Sequence, residues 1–111
     1  MTAARWPVTI EQGTTWDPVL TLRDTDLTGY TARMQIRATV DAADVLLELS
    51  TANGKITIDG PAGQIKPLLT DIDTAAITWT SGFYDLELVS PSGHVDRLVQ
   101  GTVTVDPEVT R

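Results

Sequence analysis

Ser81-Gly82-Phe83-Tyr84-Asp85-Leu86-Glu87-Leu88-Val89-Ser90-Pro91-Ser92-Gly93-His94 is the stretch on which the fold turns. Tyr84, Leu86 and Leu88 alternate with Asp85 and Glu87, the two-residue repeat of a strand with one face in a core and the other in water. Pro91, Ser92 and Gly93 supply a turn. A long alternating segment follows from His94 to about Val105, with Val95, Val99, Val103 and Val105 expected on one side and Asp96, Leu98, Gln100, Thr102 and Thr104 on the other. The two segments read as a β-hairpin.

The same repeat extends upstream. Thr31 to Ala38 sets Ala32, Met34 and Ile36 against Arg33, Gln35 and Arg37, so one face of that strand is expected to be wet. Trp6, Val8 and Ile10 alternate with Pro7 and Thr9 in a first strand, ended by Glu11, Gln12 and Gly13. Thr15 to Arg23 reads as a second strand with Trp16, Leu20 and Leu22 on one face, and Pro18, which lacks a backbone donor, places it at a sheet edge. Asp24 to Tyr30 is a loop. Val45, Leu47 and Leu49 alternate again, and Asn53-Gly54 predicts a hairpin into Lys55 to Ile58, since both residue types tolerate positive φ. Asp59 to Gly63 closes that strand, and Gln64 to Leu69 reads as another short one.

Thr70 to Trp79 breaks the period: Thr70 caps a helical turn whose Asp73 lies three residues on, and Ala75, Ala76 and Ile77 suit its continuation. Such a segment connects the two sheets of a sandwich, with Ile72 and Ile77 expected to cover the open end of the core. Seven or eight strands with turns every eight to twelve residues predict an all-β fold, an immunoglobulin-like antiparallel β-sandwich with one short helical turn. A single domain spans residues 1–111, its core running from about 6 to 105 and residues 106–111 forming a flexible tail.

Composition narrows the function. With 41% hydrophobic residues in 111, the chain has enough apolar surface for one core. The absence of cysteine removes disulfides, thiolate zinc sites and cysteine nucleophiles together. A net charge of -7 with scattered basic residues argues against nucleic acid or an anionic membrane as partner. No apolar run approaches the roughly 20 residues of a membrane span, and Met1 to Pro7 carries no apolar signal segment.

Catalytic motifs are sparse. The one histidine, His94, falls in a turn with no serine elbow beside it, which reads as a surface position. Asp24 with Asp26 and Asp71 with Asp73 offer oxygen ligands, but neither pair has the glycine-centred spacing of a calcium loop, and Asx turns and a helix cap account for both. Gly60 to Gln64 lacks the Lys-Ser/Thr ending of a phosphate loop. Trp6 and Trp16 sit at alternating positions that favour the core. No catalytic residue, metal ligand or cofactor site is expected.

Glu11-Gln12-Gly13-Thr14-Thr15 leading into Trp16 to Leu22, then Asp26-Leu27-Thr28-Gly29-Tyr30 opening a strand that ends Gln35-Ile36-Arg37, form a recognisable series. It continues with Asn53-Gly54-Lys55-Ile56-Thr57-Ile58, the acidic helical turn at Thr70 to Ile77, Ser81 to Leu88, and Gly101-Thr102-Val103-Thr104-Val105. From about residue 8 to 106 this order resembles small phage tail and baseplate modules: the immunoglobulin-like domain at the start of upper baseplate proteins, and related collar or tail sandwich proteins. The resemblance implies a structural protein of a tailed-phage virion, synthesised in the host cytoplasm. Its partners would be other phage structural proteins, including further copies of itself. It also implies that Leu27 plugs the core while Gly29 permits the sharp turn into the next strand. Upper baseplate proteins continue into fibre-forming regions where this sequence stops at Arg111, so a separate small subunit is expected.

The residues expected to meet partners are Arg5, Tyr30, Arg33, Arg37, Trp79, Val109 and Arg111. The alternative reading is a carbohydrate- or receptor-binding sandwich with Trp79 and Tyr30 as an aromatic platform.

Overall fold

A computed structural model describes residues 3–111. In chain order the strands are β1 (Ala4–Arg5), β2 (Val8–Glu11), β3 (Leu20–Thr21), β4 (Thr31–Arg37), β5 (Leu47–Ser50), β6 (Ile56–Asp59) and β7 (Gln64–Pro67). Helix α1 (Asp71–Ala75) then leads to β8 (Ser81–Val89) and β9 (Val95–Asp106). The larger sheet has the order β1-β9-β8-β4-β5, with β2 also on β9; the smaller has β3-β7-β6. The fold is an all-β sandwich, as the repeat predicted.

Period-two patterning does most of the sorting. Ala32, Met34 and Ile36 of β4 and Tyr84, Leu86 and Leu88 of β8 are buried, while their neighbours face outward. Ile56 and Ile65 of the other sheet, with Leu69 just past β7, meet them. Each fully buried aliphatic side chain contributes on the order of 1.5–3 kcal/mol, so these faces dominate stability. Leu27 reaches the same core from its loop, held by its N–H on the Gly60 carbonyl at 2.8 Å, and Gly29 takes φ +83° just ahead of β4. A β-carbon there would pay the left-handed penalty.

Four sequence expectations need correction. The first concerns strand direction: β1 and β2 run parallel to β9, with Val8 opposite Val103 and Ile10 opposite Val105. They act as one strand interrupted at Trp6-Pro7, where the Trp6 N–H still donates to the Gln100 carbonyl at 2.9 Å. Gly101 makes this close approach possible, because a β-carbon on it would lie 2.6 Å from the Trp6 carbonyl oxygen.

The second concerns Asn53-Gly54. It does not close a hairpin, since β5 pairs with β4 in the larger sheet and β6 with β7 in the smaller. The turn carries the chain from one sheet to the other. The Asn53 carboxamide instead seals the β5 edge: its Nδ2 donates to the Glu48 carbonyl at 2.9 Å and its Oδ1 accepts from the Ser50 N–H at 2.9 Å. The hairpin of this region is β6–β7, turned through Gly60 to Gly63.

The third is register in β9. Leu86 pairs with Val99 but Glu87 with Arg97, a bulge at Leu98 that inverts the parity upstream of it. Val95 therefore faces outward at 45% exposure rather than sharing a side with Val99, and Leu98 packs against the core.

The fourth is α1. The Thr70–Asp73 capping box forms in both directions, at 3.1 and 3.0 Å. Ile77 covers the core end, but Ile72 points away at 76% exposure. Fully buried Thr74 takes its place: its hydroxyl donates to the Thr14 carbonyl at 2.8 Å and accepts from the Gly13 N–H at 2.9 Å. The segment 106–111, expected to be flexible, continues β9 through Asp106 and is tied by the Glu108 N–H to Gln12 Oε1 at 3.0 Å.

Candidate functional site

Outward parity places Arg33, Gln35 and Arg37 of β4 beside Phe83, Asp85 and Glu87 of β8, and these beside Arg97, Gln100 and Thr102 of β9. The result is a laced polar face. Arg33 Nε meets Glu87 Oε1 at 2.8 Å, and Arg97 Nε meets Asp85 Oδ2 at 3.4 Å. Gln35 Nε2 donates to Glu48 Oε1 at 2.9 Å. Arg37 binds the loop after its own strand through the Ala42 and Ala43 carbonyls, at 2.8 and 2.9 Å, and reaches Gln35 Oε1 with its other nitrogen. Asp85 and Glu87 do form a solvated face, and their partners are the cross-strand arginines.

At the β9 side this face dips into an open groove of about 660 Å³. Its lining includes Arg5, Trp6, Arg37, Phe83, Tyr84 and Arg97. Trp6 stacks on Trp16 at 6.4 Å between centroids and meets Tyr84 edge-on at 6.4 Å. The Tyr84 hydroxyl donates to the Trp6 carbonyl at 2.6 Å. Burial pushes its pKa up to about 12, so the phenol stays protonated and serves as a strut for the β1–β2 kink.

The groove thus gathers three of the chain's six aromatic residues and three of its arginines, and no lysine. Arginine with aromatic rings is the composition of protein–protein contact centres, where planar side chains give area at low entropy cost. Phe83, 42% exposed, is the groove's exposed aromatic ring, and Val40 adds a second apolar side chain to the lining.

The sequence-predicted partner residues scatter. Arg5 and Arg37 come together in the groove, and Arg33 lies further along the same face. Tyr30 and Trp79 do not meet: Thr31 pairs with Val89 at one end of β8, whereas Trp79 precedes Ser81 at the other, a separation of roughly 30 Å at the rise of a strand. Both rings are half-buried against the core. Val109 is exposed, and Arg111 donates to the Glu108 carbonyl at 2.9 Å.

Phe83, Arg97, Trp6 and Tyr84 were not singled out as partner-binding residues by the sequence. Phe83 was findable as an apolar residue at a polar parity position. Arg97 was not, because the bulge at Leu98 decides which way it points.

The other titratable groups have local roles. His94 Nε2 meets Asp96 Oδ1 at 3.2 Å at the exposed β8–β9 turn. Asp26 accepts from the Thr28 hydroxyl and N–H, which lowers its pKa. Asp73 is likewise held below the ordinary range by the Thr70 N–H and by Lys55, whose Nζ lies 3.1 Å away. No group of three or more histidine or acidic residues with metal-binding geometry occurs among the described residues, and no helix among them is long and apolar enough to cross a membrane. No protein-family model matches the chain, and no curated protein matches it in sequence.

Proposed function

We propose that the chain is a non-catalytic structural subunit of a tailed-phage virion, a collar, head-to-tail, tail or baseplate accessory protein that acts through protein–protein contacts in a symmetric assembly. The observation that carries the contact role is the groove, where Arg5, Arg37 and Arg97 surround Trp6 and Phe83. The virion assignment rests on the resemblance of residues 8–106 to small phage tail and baseplate modules. The strand order supports its immunoglobulin-like part: β9-β8-β4-β5 faces β3-β7-β6, and the first strand is appended to the last.

The direct test is a mass-spectrometric and antibody search of purified particles from a host producing the protein. Recovery in stoichiometric, multiple copies per particle is expected. Presence in the soluble lysate together with absence from particles overturns the proposal.

A further inference from the structure

The charges of this chain are segregated. Arg5, Arg33, Arg37 and Arg97 face Glu48, Asp85 and Glu87 on the outer side of the larger sheet, an excess of one positive charge. Because the whole chain carries -7, everything outside that face carries -8.

Part of the acidic excess is concentrated at one end of the sandwich. Glu11 and Asp106 stand opposite each other in the β2–β9 register, an arrangement of like charges that costs stability. Glu108 is anchored beside them through Gln12. Asp71 opens α1, which Thr74 fastens to Gly13 and Thr14 just after β2. Among the described residues none of these four carboxylates takes an ion pair. Of the cations near this end, Lys55 is paired with Asp73 of α1, and Arg111 spends a guanidinium nitrogen on the Glu108 carbonyl. The groove offers the complement: Asp85 and Glu87 line it too, with Asp85 paired to Arg97, but Arg5 has no ion pair among the described residues and stands with Arg37 and Arg97 around an exposed phenylalanine, an excess of one positive charge.

We infer that the groove of one copy receives the Glu11–Asp106–Glu108 end of a second copy. This rests on the proposed role as a subunit of a symmetric assembly, and it names the first neighbour as the chain itself. Groove and acidic end are different surfaces, so the contact is heterologous. Repeated from copy to copy, it closes into a ring or extends as a filament. A groove of this size makes a weak single contact, of the kind that becomes effective only when many copies are held together.

The test uses the full chain by sedimentation and light scattering at low salt, up to about 1 mM, the range in which a contact of this class registers. Concentration-dependent self-association is expected. Arg5→Glu and Asp106→Lys, both exposed positions, should each weaken it at least about fivefold. Asp106→Lys removes a like-charge pair and should leave folding intact. An equimolar mixture of the two variants should associate again, because the reversed charges match across one contact. A monomer at all concentrations overturns the inference, as does association indifferent to either variant or a mixture that fails to recover. The particle search is read separately: a monomer in solution that is nevertheless found in virions removes this contact and leaves the structural role standing.

Discussion

The two faces of the larger sheet are built from the same strands and do opposite work. On the inner face Met34, Ile36, Leu86 and Val103 are each at most 1% exposed, and their removal from water holds the molecule together. On the outer face Arg33, Asp85, Glu87 and Arg97 form pairs that water screens, so each contributes at most about 1 kcal/mol. A face that adds little to stability can vary its side chains at little cost to the fold. The outer face is therefore where function can be written.

Leu86→Ala tests the contrast hardest. It should lose about 2–5 kcal/mol in urea denaturation, the usual cost of a cavity at a fully buried leucine. A loss under about 1 kcal/mol would show that the inner face is not the stabilising one. Thr74→Val keeps the shape but leaves the Gly13 N–H and the Thr14 carbonyl without their hydroxyl partner, and should cost about 1–3 kcal/mol.

Tyr84 sharpens the comparison through pH. Its pKa is raised in the folded state, so its contribution is complete below the unfolded value near 10 and is lost as pH rises toward 12. A fall in stability between pH 10 and 12 is expected for the wild type and should be reduced in Tyr84→Phe, measured by melting temperature across that window. Asp73 acts at the acid end with the opposite sign. Its lowered pKa gives stability that is present above the unfolded carboxylate range and lost as pH falls through the folded value. Asp73→Asn should therefore shallow the acid limb. The smallest effect belongs to Arg33→Ala, at most about 1 kcal/mol and shrinking further in high salt.

The inner face was readable residue by residue because burial imposes the strand period directly on the sequence, as at Ala32-Arg33-Met34 and Leu86-Glu87-Leu88. What escaped the reading depends on distant partners. Asn53-Gly54 encodes a turn, but which sheet Ile56 joins is decided by the pairing of Ile56 with Pro67 and of Ile58 with Ile65. Nothing local in Val8-Thr9-Ile10 states that it runs parallel to the last strand. The bulge at Leu98 is a mismatch between two strands and has no mark in either alone. Half of the groove was legible for the same reason: Arg37 follows from the parity of β4, whereas Arg97 needs the bulge and Arg5 needs the parallel pairing.

That parallel pairing has a mechanical consequence. The first strand and the last lie side by side and point the same way, so a pull on the two ends of the chain draws β2 and β9 along each other. The hydrogen bonds from Val8–Val103 to Glu11–Asp106 then bear the force together, in shear, instead of opening one at a time as in a hairpin pulled from its ends. A domain closed this way resists stretching better than thermodynamic stability alone would suggest, because forced rupture is governed by the barrier to unfolding. Anchored to neighbours through its two termini, it would act as a stiff link under tension.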